Sequence, residues 1–147
     1  MHCLMAAMEW RKNAYLISTD PERLDRALIW EFLRTSYWAS GITRETVDRS
    51  IDNALSFGLF AASGEQVGFA RVVTDHVRFA WISDVFVLDA HRGTGLGVWL
   101  VETLLSHPDL ADACVMLGTS DAHRLYERFG FAPADPERVM DRRRRPR

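Results

Sequence analysis

Val85-Phe86-Val87 runs within a few residues into Arg92-Gly93-Thr94-Gly95-Leu96-Gly97-Val98, and Leu96, Leu100 and Leu104 then recur at helical spacing. A buried strand therefore feeds a glycine-rich loop that opens directly into an apolar helix. The first N–H groups of a helix have no partner inside it, and with the macrodipole they leave about half a positive charge facing the loop. Glycines let the main chain approach an anion with no side chain in the way. The turn thus suits a phosphate or diphosphate, and Arg92 adds a permanent cation.

Working outward from this turn, the upstream chain alternates as strands. Leu59-Phe60-Ala61-Ala62, the turn Ser63-Gly64-Glu65-Gln66 and Val67 to Thr74 read as an antiparallel hairpin, and Phe79 to Val87 follows after a short turn at Asp75-His76. Before them, Ala14 to Ser18 reads as a strand. Thr19-Asp20-Pro21-Glu22 reads as a helix start with a capping carboxylate and proline in the first turn, continued by Leu24, Leu28 and Phe32. The loop Ser36 to Gly41 ends that helix, and Thr43 opens a second that carries Val47, Ile51 and Leu55 on one face. Downstream, Ala113 to Leu117 is a strand, a helix passes through Leu125-Tyr126, and a final strand is expected near Phe131. Short connections make the middle strands antiparallel, whereas the helix between 79–87 and 113–117 forces a parallel crossover. The predicted class is a mixed-sheet α/β domain over 14–140, with an N-terminal extension, 1–13, and a basic tail, 141–147.

Composition narrows the function classes. In 147 residues, 48% hydrophobic and 26% charged, there is enough apolar side chain for one core and no disordered or fibrous bias. The formal charge of −2 conceals a tail with five arginines against one aspartate, so the body is the more acidic part. That argues against a broad nucleic-acid face and leaves Arg142 to Arg145 as a solvated tail or a minor anion contact. No apolar run approaches the roughly 20 residues needed to cross a bilayer. Cys3 and Cys114 show neither disulfide nor zinc spacing, no secretory leader is evident, and a reducing cytoplasm fits. The five histidines show no ligand spacing, so no metal is expected. Cys114, in an apolar strand, reads as a small core residue.

Spacing then sorts the anion-binding motifs. A P-loop needs lysine after its second glycine, and Lys12 is the chain's single lysine. The dinucleotide fingerprint meets Val98 where glycine or alanine belongs, and here the loop follows an antiparallel meander. What fits is R-x-x-G-x-G at Arg92, Gly95 and Gly97. About thirty residues on, Ala122-His123-Arg124-Leu125-Tyr126-Glu127-Arg128-Phe129-Gly130-Phe131 supplies A-x-x-L-Y-x-x-x-G-F. Together these stretches resemble the coenzyme A loop and the following helix of the GCN5-related N-acetyltransferase (GNAT) superfamily. The likeness covers roughly residues 14 to 140. One departure is Thr119, seven residues before the tyrosine, where that family often has Asn; a hydroxyl replaces an amide.

The resemblance implies transfer of an acetyl group from acetyl-CoA to a primary amine, of a small molecule, by direct transfer in a ternary complex. It implies cofactor contacts at Phe86, Val87, Arg92, Gly93, Thr94, Gly95, Leu96, Gly97, Val98, Thr119 and Ala122, with a slot between the strands ending near 87 and 117. Tyr126 is the candidate proton donor to the departing thiolate. Asp84 is the candidate base, because alternation puts it on one face with Ile82 and Phe86, where a carboxylate is out of pattern; the alternative is a structural ion pair with Arg71. Asp75 and His76 are weaker candidates. Tyr37 and Trp38, on the loop between the first helices, and Arg71 are the expected substrate contacts. A non-catalytic acetyl-CoA-binding module is the rival reading, nucleic-acid binding by the arginine tail is a third, and a homodimer is left open.

Overall fold

The computed structural model describes residues 6–143. Met1 to Met5, including Cys3, and Arg144 to Arg147, most of the basic tail, lie outside the described residues. The chain order is β1 (Glu9–Lys12), β2 (Tyr15–Ser18), α1 (Arg26–Leu33), α2 (Arg44–Asp52), β3 (Leu55–Phe60), β4 (Gln66–Thr74), β5 (Phe79–Val87), α3 (Leu96–Leu105), β6 (Cys114–Leu117) and α4 (His123–Glu127). The six strands lie side by side in sequence order, antiparallel from β1 to β5, and β6 joins β5 in parallel after the α3 crossover. This is the mixed sheet that the connection lengths require.

Two apolar layers sandwich the sheet. On one face Phe57, Leu59, Val72, Ile82 and Val87 pack against Leu96, Leu100 and Leu104 of α3. On the other, Phe69 and Phe86 meet Ile29 and Leu33 of α1 and Val47 and Ile51 of α2. Phe57 and Phe69 are fully buried, each worth about 1.5–3 kcal/mol in transfer free energy. Phe32 stacks flat on Phe86, with ring centroids 3.9 Å apart, which ties α1 to β5 beside the site.

Several elements differ from the sequence-based expectation. The segment read as an N-terminal extension contributes β1, which forms a hairpin with β2 around Asn13 at φ +55°, a conformation asparagine tolerates. The capped start at Asp20 closes only a 3-10 turn, Pro21–Arg23. Leu24 is then extended, and α1 starts at a second cap where Asp25 accepts from the Leu28 N–H. The break is tertiary: the Gln66 side chain on β4 accepts the Asp25 N–H at 2.7 Å. Thr43 caps α2 as its sequence predicts. The expected strand near Phe131 is absent; residues 131–135 form coil after Gly130, at φ +86°, ends α4, and Pro133 and Pro136 weaken any ladder there. Cys114 is exposed at the start of β6, not buried in the core.

Candidate active site

The loop after β5 is held by local bonds. Arg92 Nε donates to the Val87 carbonyl at 2.9 Å, and its Nη1 pairs with Asp89 at 2.7 Å. The Arg92 side chain therefore braces the turn. Tyr15 on β2 secures the other side through a 2.9 Å bond between its hydroxyl and His91 Nδ1. Thr94 hydrogen-bonds back to the His91 carbonyl. Gly93 and Gly95 take φ +85° and +81°, a region closed to most residues. Gly95 is the N-cap of α3 and offers no side chain, so the first-turn N–H groups of Leu96, Gly97 and Val98 have no side-chain acceptor and no acidic residue beside them. A Cβ on Gly93, Gly95 or Gly97 would meet nothing within 4 Å. The loop is an uncapped helix start facing open space, a fit for a diphosphate.

Beside it the sheet opens. Phe79 to Ile82 of β5 pair with β6, but β6 stops at Leu117, leaving Ser83 to Val87 with no β6 partner. The pairing of β4 with β5 slips between Phe69 and Arg71, and Asp84 in the slip adopts φ +55°. This bulge reverses the alternation. Ile82 packs on the α3 side and Phe86 on the α1–α2 side, so Ile82, Asp84 and Phe86 do not share the single face that a regular strand would give them. Asp84 is nearly buried, and its two oxygens accept from Arg71 Nε at 2.8 Å and Trp38 Nε1 at 3.0 Å. Arg71 also donates to Ser83 Oγ at 3.3 Å. Ser56, across the sheet from Arg71, has a buried hydroxyl with no partner among the described residues.

The third wall is the start of α4. The Thr119 hydroxyl accepts the Ala122 N–H at 3.0 Å, so it is occupied in closing the turn that leads into α4. Tyr126 is buried, edge-on to Phe131 at 5.8 Å, and its hydroxyl has no hydrogen-bond partner among the described residues. Burial, then the charges of Tyr37 and Asp121, push its pKa up to about 12. The phenol therefore stays protonated throughout the physiological range. Tyr37 reaches this wall, donating from its hydroxyl to Asp121 Oδ1 at 3.1 Å while its ring meets Trp38 edge-on at 5.1 Å. A cavity of ≈ 280 Å³ runs along β6 and α4, bordered by Leu117, Thr119, His123, Tyr126 and Phe131.

The structure thus links Tyr37, Trp38, Arg71 and Asp84 with Asp121 through the contacts of Trp38 with Asp84 and of Tyr37 with Asp121; Tyr126 lies on α4, the helix that Asp121 precedes, and makes no bond to this cluster. Asp121 and Ser83 were not singled out by the sequence; a carboxylate just before a helix reads as an ordinary cap until its partner 84 residues away is seen. Asp75 and His76 lie in the β4–β5 turn. Asp75 Oδ1 accepts from the N–H groups of Val77, Arg78 and Phe79, which hold its carboxyl down at about 2. His76 binds Asp109. Among the described residues no group of three or more His, Cys, Asp or Glu could hold a metal, and no helix is long and apolar enough to cross a membrane.

Comparisons with known proteins agree with this architecture. The family model described as the acetyltransferase (GNAT) family matches residues 6–131. A Gibberella zeae protein named as an acetyltransferase is 30% identical, covering 80% of this chain and 78% of its own. A crystal structure from Xanthomonas campestris pv. campestris, described as belonging to the GNAT family, superposes with a TM-score of 0.84 at 44% identity, covering 88% of this chain and 92% of that one. One from Deinococcus radiodurans R1, described as an acetyltransferase, gives 0.71 at 28% identity over 93% and 94% of the two chains. With an uncapped α3 start, a sheet parted between β5 and β6, and a family match over most of its length, the chain belongs to the GNAT acetyltransferase family.

Proposed function

We propose that this acetyltransferase uses acetyl-CoA to acetylate a primary amine of a small molecule, by direct transfer within a ternary complex. The observation that carries the reading is the bare N-terminus of α3, a few residues on from the half of β5 that has no β6 partner, together with Tyr126 buried on the helix that follows β6. Main-chain N–H groups of Leu96, Gly97 and Val98 would hold the diphosphate, with Gly93, Thr94 and Gly95 shaping the loop and Arg92 bracing it. The unpaired edge at Phe86 and Val87 would direct the pantetheine arm and offer a main-chain donor to the carbonyl oxygen. Ala122 and Thr119 would border the arm, although the Thr119 hydroxyl is already engaged. When bound, acetyl-CoA supplies an acetyl group activated as a thioester.

As the C–N bond forms and the C–S bond breaks, Tyr126 donates a hydrogen bond to the sulfur. With its pKa near 12 the phenol is a poor full acid, so its contribution is to share the developing charge while solvent completes the protonation. Asp84, fixed by Arg71 and Trp38, holds the acceptor-side wall; taking up a proton there would break its ion pair. An acyl-cysteine route is disfavoured, because Cys114 pairs in register with Phe79 at the opposite end of β5 from Val87.

The experiment is thiol release from acetyl-CoA across a panel of primary amines, alongside calorimetric titration with coenzyme A. Amine-dependent release supports the enzyme. The engagement of both Asp84 oxygens favours one rival, a module that binds acetyl-CoA without transferring from it, and binding with no release for any amine would establish that instead.

A further inference from the structure

A second cavity, of ≈ 320 Å³, lies at the β1–β3 end of the sheet, and it shares no bordering residue with the cavity along β6 and α4. Strand registers build it. Arg11 on β1 pairs with Leu16 on β2, and Leu16 pairs with Phe60 on β3, so a cation and two apolar side chains stand in one row across three strands, on one face. Asn13 in the β1–β2 turn and Ala62 in the β3–β4 turn close the end of the row. From the 3-10 turn before α1, Arg23 sets its guanidinium carbon 5.1 Å from the centre of the Phe60 ring, within cation–π range. That ring is itself fixed. A Cβ on Gly58 would come within 2.7 Å of it and 3.0 Å of Leu24, so Phe60 can lie across its own strand because residue 58 has no side chain.

Two arginines and no acidic residue border this cavity. Behind them Glu9 is shared: its Oε1 pairs with Arg23 Nη1 at 2.7 Å, whereas Arg11 Nη2 stands 3.8 Å from its Oε2, too long for a hydrogen bond. One carboxylate thus serves two guanidinium groups, and one unit of positive charge is left over. The floor below the arginines is apolar and buried at Leu16 and Phe60. The volume is that of a small-molecule site. A planar guanidinium matches the two oxygens of a carboxylate, a surplus of one charge matches a monoanion, and the floor suits an apolar body. We propose that this cavity is a second ligand site, apart from the cofactor loop and α4, and that it takes a small organic monocarboxylate. The carboxylate sits toward Arg11 and Arg23, and the apolar body lies against Phe60 and Leu16.

The test is amide NMR of the full chain titrated with sodium benzoate, benzamide and sodium acetate at constant ionic strength. Benzoate should saturate with a dissociation constant of about a few millimolar, the range open to a ligand this small, and should move the amides of Asn13, Leu16 and Ala62. Benzamide carries the ring without the charge and acetate the charge without the ring, so each should bind at least about fivefold more weakly. The Arg11 and Glu9 side chains are 76% and 46% exposed, so their substitution should leave the thermal unfolding midpoint in place. Arg11→Gln should weaken benzoate about tenfold and Glu9→Gln should tighten it about threefold, with benzamide unchanged in both. No saturation by about 50 mM benzoate, equal affinity for benzoate and benzamide, shifts confined to residues 93–98, or variants that move benzoate affinity in the same direction would each overturn the assignment.

Discussion

The two halves of the proposed site, one for cofactor and one for acceptor, are built from different materials. On the cofactor side the groups offered are main-chain N–H donors at the start of α3, set by glycine conformations and a brace from Arg92 five residues on from Val87. On the acceptor side they are side chains, Tyr37, Trp38, Arg71, Asp84 and Asp121, brought together across separations of 13 to 84 residues. The first half depends on local backbone chemistry and tolerates change at its surroundings. The second depends on registers and loop positions that the whole fold must hold, so substitutions there should cost stability and substrate recognition together.

Four substitutions would break or sharpen that contrast. Tyr126→Phe removes the only polar atom of its side chain at the junction of the halves. Turnover should fall about tenfold to a thousandfold with coenzyme A affinity nearly intact, as measured by thiol release and calorimetry. The same variant should remove the late component of an ultraviolet phenol titration, since Tyr126 keeps its proton up to about pH 12. The sign follows from the raised value: the fold's preference for the neutral phenol is fully present below pH 10 and is lost as pH rises toward 12.

Gly97→Val tests the backbone half. Its Cβ would touch no protein atom, and leaving glycine in a helix costs the fold nothing, so Tm should hold or rise slightly. The side chain projects into the space assigned to the diphosphate, and coenzyme A affinity should fall about a hundredfold. Asp84→Asn tests the side-chain half. It leaves the largely buried Arg71 guanidinium without its counter-charge and should cost about 2 kcal/mol in denaturant unfolding. Coenzyme A affinity should barely change. Smallest is Tyr37→Phe, which deletes one exposed hydrogen bond to Asp121. It should raise the KM for the amine a few-fold without altering that for acetyl-CoA.

The same contrast explains what the sequence disclosed. The glycine turn, its strand and its helix are contiguous, so their order could be read directly, as could the cap at Thr43 and the Leu125-Tyr126 helix. Asp84 stood out as an out-of-pattern charge, but the bulge that gives it φ +55° is a property of pairing with β4 and leaves no mark in the alternation. Asp121 was hidden for the same reason, because its contact with Tyr37 depends on how α1 sits against β5. Glu9 to Lys12 carries three charges in four residues and looks like surface, yet its main chain completes the sheet edge. The missing strand at Phe131 was legible in principle, since Gly130 and Pro133 leave only Phe131 and Ala132 between them, a segment too short to pair. Cys114 was misplaced because apolar neighbours in sequence do not make an edge strand buried.

The most direct test of the central claim is calorimetric titration of the folded protein with coenzyme A. If the first turn of α3 holds the diphosphate, binding should saturate with a dissociation constant below about 1 mM and be lost selectively in Gly97→Val. Absence of heat and of any other binding signal at millimolar coenzyme A, from protein whose unfolding transition is intact, would contradict it.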